Sequence, residues 1–480
     1  MYDYVIIGAG VIGSAVAREL SKYQVKVLCI EKENDVANVQ SLANSAIIHA
    51  GHNPIPGSLK ALLSVKGNHM YHQWESDLDI PLLNLGAYVV AHNKEEEKRL
   101  ESYVENCRKN GVPEYMLLSG DEAREEEPHL AKSISKVLFL PTTKVTYPWE
   151  VAFACMENAI ENGVEWMKNH EVVAIQPKEN HFAITLKCQE VIETKHVINA
   201  AGVNADDIGA MIETPPFKVR GRKGEYFVLD KRVKGFMNKV IYPLPSDKGK
   251  GVLMTPQYHG EILLGPSSEF VTDKHRANTT ITGLEYVKKN ASLLADDIPF
   301  DDIIRSFAGI RSTSDYHDFY IKESTNHHGF YYLGGIESPG LTAAPAIASY
   351  LVEEVMRVNK QFSPNPNFQP KRRKQKAFTH LPMNIKKKLI KKDKRYGHIV
   401  CKCEGVTEKE IIDAIHGPLG SSTIKGIKKR VRAGAGRCQG GYCEDKIVKI
   451  IARECGVSPL NVGYDREDSP LFFNETKVKK

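Results

Sequence analysis

Residues 2–23 read YDYVIIGAGVIGSAVARELSKY. Residues 3–8, DYVIIG, form a short apolar run that predicts a buried strand. A helix is expected from about Ile12 to Lys22, because Ile12, Val16 and Leu20 recur at helical spacing. Residues 25–31, VKVLCIE, then read as a second strand, which completes a strand–helix–strand unit. Gly8, Gly10 and Gly13 lie in the turn between strand and helix. The first glycine permits a tight turn, the second lets the backbone approach a pyrophosphate, and the third lets the helix pack close to the strand. Glu31 ends the second strand, eighteen residues beyond Gly13, where a carboxylate meets a ribose hydroxyl. Strand, helix, second strand and acid together predict a dinucleotide site at the start of the helix, where unpaired N–H groups favour an anion.

The chain has 480 residues, too many for one core, so two or three units are expected. No apolar run of about 18 residues suggests a membrane span. The opening MYDYVIIGAG lacks the basic segment of a secretory signal, so a cytoplasmic protein is the default expectation. A helix is expected at 150–162, strands at EVVAIQP, HFAITLKCQ and HVINAAG, and a final strand FYYLGG before a helix from Ala343 to Arg357. The middle, roughly 215–330, is rich in alternating strand patterns and Pro/Gly turns, as in an antiparallel substrate cap. Residues 359–396 read as a Pro- and Lys-rich linker. From Lys371 to Arg395 they carry twelve Lys or Arg against one Asp, a surface suited to solvent or to peripheral contact with anionic lipid at the inner face of a membrane. Without interleaved aromatics or a nucleic-acid module, no nucleic-acid partner is expected. Residues 397–465 would form a small third domain, with 466–480 as a tail.

Two further small-residue turns follow strands: Ala200-Ala201-Gly202 and Gly334-Gly335. Together with NSAIIHAGHNPIPGSLKA (44–61), GEYFVLD, LLGPSSE, AGIRSTS and GGIESPGLTAAPAIA (334–348), they make the chain resemble the D-amino-acid-oxidase-like flavoprotein superfamily across residues 1–358. Within it, the chain is similar to the branch holding FAD-dependent glycerol-3-phosphate and L-2-hydroxyglutarate dehydrogenases. The resemblance implies an α/β (α+β) protein: a Rossmann-like FAD-binding domain from about 1–80, 145–212 and 330–358, and an antiparallel β-sheet cap from about 81–144 and 213–329. It implies FAD contacts from Gly8, Gly10, Ile12, Gly13, Glu31, Lys32, Ser45, Val173, Ala201, Gly202, Gly335, Gly340 and Leu341.

Such an enzyme takes a hydride from a small secondary alcohol bearing an anionic group, so it needs a base and a cation. The resemblance points to His49, in IIHAG, as the base, since imidazole titrates near neutral pH. By residue type alone His49 reads more readily as a structural histidine. Arg311, in AGIRSTS, is the expected anion clamp, because a guanidinium grips phosphate or carboxylate with two parallel hydrogen bonds. Ser338 and Lys60 are further substrate candidates. Arg220, Arg222 and Tyr242 stand near the expected site without an assigned role.

Five of the nine cysteines, Cys29, Cys107, Cys155, Cys188 and Cys455, are scattered and read as buried free thiols. The other four are paired. Cys401 and Cys403 have one residue between them; after thirty-four intervening residues come Cys438 and Cys443, in RCQGGYC. Thiolates hold iron–sulfur clusters and zinc alike. RAGAGRCQGGYC resembles the small [2Fe–2S] domain of bacterioferritin-associated ferredoxin in its flavoenzyme-fused form, which implies a cluster here, with zinc as the alternative. A flavin takes two electrons at once and such a cluster passes one at a time. The fusion therefore implies a dehydrogenase that feeds a one-electron acceptor protein or a quinone. Two rival readings stay open: a 2-hydroxy or amino acid dehydrogenase, and a non-catalytic electron-transfer subunit.

Overall fold

The computed structural model describes residues 1–245, 251–356, 362–372, 377–466 and 468–475. They divide into two compact units. One comprises residues 1–32 and 36–372; the other comprises residues 33–35 and 373–480.

The opening stretch folds as β1 (Tyr2–Ile7), α1 (Val11–Leu20) and β2 (Val27–Ile30). Val5, Ile6, Leu28 and Ile30 are buried, as expected where a parallel strand is covered on both faces. β1 runs parallel between Val191–Asn199 and β2, and β2 runs parallel to Glu165–Met167. Phe330–Gly334 also joins Val191–Asn199 in parallel, Tyr320–Glu323 pairs antiparallel with Phe330–Gly334, and an antiparallel meander of Val172–Pro177 and Phe182–Leu186 extends the sheet to eight strands. The expected helices are present, as Pro148–Glu161 and Gly340–Tyr350. The second continues as a π-helical turn over Leu351–Met356, and Arg357 lies outside the described residues.

The cap is a nine-stranded sheet built from two separate segments. Val219–Leu229 is longer than the sequence pattern suggests and pairs antiparallel with Ile303–Ser314 along its whole length. The cap is not purely antiparallel, because Val240–Pro243 runs parallel to Ala87–Ala91. No hairpin joins these two strands, so nothing local imposes an antiparallel pairing.

The expected linker 359–396 needs correction. Residues 359–361 and 373–376 lie outside the described residues. Residues 362–372 are fixed to the large unit: the Gln24 N–H donates to the Ser363 carbonyl at 2.9 Å and the Asn365 N–H to the Lys22 carbonyl at 2.7 Å. The buried Arg372 guanidinium closes this segment on Glu150 at 2.7 Å and Glu157 at 2.5 Å. Met383–Lys392 is helical. Among the described residues, no helix is long and apolar enough to cross a membrane.

In the small unit, a two-stranded ribbon of Ile399–Cys401 and Val406–Thr407 precedes three helices, Glu408–His416, Ile424–Val431 and Glu444–Cys455. Thr407 and Glu410 cap the first helix reciprocally, and Ile411, Ile427, Ile447 and Ile451 fill the core.

Arg372→Ala leaves two carboxylates without their shared cation, at a cost of about 3–5 kcal/mol. Urea denaturation monitored by intrinsic fluorescence is expected to show a lower midpoint for the variant. An unchanged midpoint would show that the segment is not held by these ion pairs.

Candidate functional site

A single cavity of about 590 Å³ takes in both the glycine turn and the residues expected to do chemistry. Gly8, Gly10, Ile12, Glu31, Lys32, Ser45, Ala201, Gly202, Gly340 and Leu341 all line it. Gly13 does not. A Cβ on Gly13 would sit 1.9 Å from the Gly8 carbonyl oxygen, so this glycine sets the closeness of α1 to β1. Gly8 has φ +105°, and a Cβ there would meet the Ala200 carbonyl oxygen at 2.6 Å. Glu31 accepts the Ala9 N–H at 2.7 Å, which ties the end of β2 to the turn, and the Val11 N–H donates to Ser41 Oγ at 2.9 Å. Ser45 Oγ lies 3.2 Å from the hydroxyl of Tyr226, whose ring stacks on Phe307 with centroids 4.7 Å apart.

Two expected contacts differ from the arrangement found. Val173 is exposed, and its neighbour Val172 lines the cavity instead. Strand alternation turns their side chains to opposite faces. Gly335 lies outside the lining; its φ of +64° serves the turn after Phe330–Gly334, and a Cβ would meet Ser314 Oγ at 2.5 Å.

His49 follows the short strand Ile47–Ile48 and lines the cavity. Its Nδ1 lies 3.1 Å from the Tyr242 hydroxyl and its Nε2 lies 3.4 Å from Ser338 Oγ. With Nδ1–H donating to Tyr242, neutral imidazole keeps a lone pair on Nε2. Burial pushes the Tyr242 phenol far above its ordinary range, so it stays protonated. The His49 main chain is held at both ends: its N–H donates to Thr342 Oγ1 at 2.9 Å, and its carbonyl accepts from Asn68 Nδ2 at 2.9 Å. Asn68 Oδ1 in turn accepts from the buried Lys144 Nζ at 2.7 Å. Burial lowers the Lys144 pKa to about 8.

Arg311, on Ile303–Ser314, also lines the cavity. Its Nε donates to the Arg222 carbonyl at 3.3 Å, and its Nη2 donates to the carbonyls of Lys223 and Ser267 at 3.1 and 2.9 Å. Three carbonyls thus fix the plane of the guanidinium. No carboxylate pairs with it among the described residues, and burial lowers its pKa. Ser338 lines the same cavity, whereas Lys60 does not. Its ammonium is engaged by Glu337 at 3.1 Å and by the His317 carbonyl at 3.2 Å. Arg220 and Arg222 pack over Phe270 outside the lining. Tyr226 was not singled out although it lies in GEYFVLD, and Ser41, Asn68 and Lys144 were not identified because they come from segments without a recognisable spacing.

The four paired cysteines converge in the small unit. Cys401 ends a strand, and Cys443 is the N-cap of Glu444–Cys455, where the helix dipole favours negative charge. Cys443 donates to the Cys401 sulfur, and the backbone N–H groups of Gly434 and Glu404 reinforce this. The Cys401 pKa falls to about 5, while Cys443, which holds the shared proton, is pushed up. Cys403 and Cys438 sulfurs lie 3.8 Å apart. Among the described residues, no three of these sulfurs come within 4.8 Å of one another. One tetrahedral zinc with Zn–S of about 2.3 Å would bring all four within about 3.8 Å. Two pairs instead suit two irons. Of the five cysteines expected to be buried, Cys188 and Cys455 are exposed.

Comparison with known proteins accords with this geometry. Residues 3–354 match the family described as FAD dependent oxidoreductase, and residues 399–453 match the BFD-like [2Fe–2S] binding domain. The chain is 42% identical to a glycerol 3-phosphate dehydrogenase of Caloramator mitchellensis, over 99% of both chains. It is 31% identical to L-2-hydroxyglutarate dehydrogenase of Escherichia coli K12, over 56% of this chain and 64% of that one. Among solved structures, it resembles the L-α-glycerophosphate oxidase of Mycoplasma pneumoniae with FAD bound: TM-score 0.75, 28% identity, covering 78% of this chain and 99% of that one.

The position of Lys144 gives a pH signature. Its folded-state pKa of about 8 lies below the ordinary lysine value of 10.5, so the unfolded chain binds more protons between these pH values. Stability from this group therefore rises as pH climbs from about 8 to about 10.5. Denaturant midpoints followed across that window are expected to rise more steeply for the natural protein than for Lys144→Met. Parallel curves would refute the assignment.

Proposed function

The chain belongs to the family of FAD-dependent oxidoreductases, and from that premise we propose that it oxidises sn-glycerol 3-phosphate to dihydroxyacetone phosphate. In this reading the electrons leave through a [2Fe–2S] cluster held by Cys401, Cys403, Cys438 and Cys443. The observation that carries the substrate assignment is the end-to-end match to a relative bearing that activity in its name, small unit included.

The residues present fit the cofactor. The Gly8–Gly13 turn and the N-terminus of α1 would hold its pyrophosphate, and Glu31 its ribose. FAD, when bound, supplies the hydride acceptor. His49 Nε2 takes the proton of the substrate hydroxyl as the C–H bond breaks, and Tyr242 holds the ring in the tautomer that keeps the lone pair on Nε2. Arg311, with its plane fixed by three carbonyls, holds the phosphate. Ser338 orients His49 or the substrate from the same wall.

A cluster on the four thiolates would pass electrons singly. The two-pair spacing of the sulfurs favours this over one zinc. A Mycoplasma genitalium protein named as a glycerol 3-phosphate oxidase spends 98% of its length on 76% of this chain. The extra segment here is consistent with electrons going to a protein or quinone.

His49→Ala is expected to retain FAD and lose about 10²–10⁴-fold in kcat. Arg311→Met should lose about 100-fold in kcat/KM for glycerol 3-phosphate, the value of a charge-assisted hydrogen bond of about 3 kcal/mol. Wild-type turnover in His49→Ala, or better turnover of L-2-hydroxyglutarate than of glycerol 3-phosphate by the natural protein, would overturn these roles or the substrate. The double variant Cys401→Ser, Cys403→Ser should still let substrate bleach the flavin but no longer reduce the natural acceptor. Undiminished delivery would remove the relay.

A further inference from the structure

A second cluster of ligating side chains lies in the large unit. His170, Cys188 and Glu190 each place one donor atom within 4.8 Å of the other two. Cys188 and Glu190 are exposed and His170 is half-buried, so the cluster opens to solvent.

The backbone builds this convergence. Asn169 and Gln189 both adopt left-handed conformations, with φ of 60° and 70°. Gln189 turns the chain between Phe182–Leu186 and Val191–Asn199, leaving Cys188 and Glu190 either side of it. The Lys187 N–H donates to the Glu171 carbonyl at 2.8 Å, which ties this turn to the residue after His170. The His170 N–H donates to the Glu31 carbonyl at 2.9 Å, anchoring the imidazole segment to the end of β2.

The ring of His170 is also oriented. Its Nδ1 lies 2.6 Å from the Lys168 carbonyl oxygen, so Nδ1 carries the proton of the neutral ring and Nε2 keeps its lone pair. A backbone carbonyl on the far nitrogen is how metal-ligating histidines are commonly held. Glu190 forms no ion pair among the described residues, and the nearby Lys187 ammonium is engaged by Glu171 at 3.0 Å.

We propose that His170, Cys188 and Glu190 bind one zinc ion, with water in the fourth position. Thiolate, imidazole and carboxylate are the zinc donor set, and the thiolate disfavours magnesium and calcium, which take oxygen ligands. One thiolate and one carboxylate balance the dication. Because His170 also lines the cofactor cavity beside Glu31 and Lys32, the ion would stiffen that wall.

The test uses the full-length holoprotein and zinc chloride. Maleimide labelling is read peptide by peptide by mass spectrometry, with exposed Cys455 as the internal control. Zinc is expected to slow labelling of Cys188 tenfold or more, a chelator to reverse this, and Cys455 to be unaffected. His170→Ala and Glu190→Gln should each raise the zinc concentration needed for protection tenfold or more. Equal labelling of Cys188 with and without zinc, or protection that neither substitution weakens, would overturn the site. The readout concerns Cys188 alone, so it holds whichever metal the paired cysteines carry.

Discussion

The large unit depends on the absence of two side chains where strand, turn and helix meet. A methyl on Gly13 would press within 1.9 Å of the Gly8 carbonyl oxygen, and one on Gly8 within 2.6 Å of the Ala200 carbonyl oxygen. Both obstacles are backbone and cannot rotate away. Two strands and the first turn of α1 therefore share one tight junction, with the turn at the cavity wall. Glu31 reinforces it from β2 by accepting the Ala9 N–H. The position of the glycine turn at the cavity wall follows from this packing.

From that junction, the chemistry-bearing groups are set by buried polar contacts. His49 is placed through its own main chain, by Thr342 on one side and Asn68 with Lys144 on the other. Arg311 is placed by three carbonyls of the cap. A buried donor without an acceptor costs about 1–3 kcal/mol, so these arrangements resist rotation of the groups they hold. His49 comes from the segment after Ile47–Ile48 and Arg311 from the cap, so in the proposed function each part of the large unit supplies one half of the reaction centre.

The nucleotide half of the site was legible in sequence because its chemistry demands fixed spacing along one strand–turn–helix unit. The roles of His49, Arg311 and the four paired cysteines came through resemblance, and the structure brings the first two to one cavity. What was not legible depends on distant segments meeting. Lys60 reads as a free cation until Glu337, 277 positions away, is found beside it. Asn68 and Lys144 have no local signature, since their role exists only once their segments pack. The run from Pro364 to Arg372 reads as part of a linker because Pro and Asn dominate it, yet Glu150 and Glu157 turn one of its cations into a buried anchor. Cys188 resembles the buried thiols by spacing, and only the hairpin turn shows that it is exposed.

In the proposed function, joining a hydride-accepting unit to a one-electron centre sets a direction of electron flow from substrate through flavin to cluster. The most direct test is electron paramagnetic resonance of the purified holoprotein, frozen after anaerobic addition of glycerol 3-phosphate alone. The account predicts that substrate brings up the signal of a reduced [2Fe–2S] cluster, and that His49→Ala does not show it on the same timescale. A cluster that dithionite reduces but substrate leaves silent, in a protein whose flavin has bleached, would contradict it.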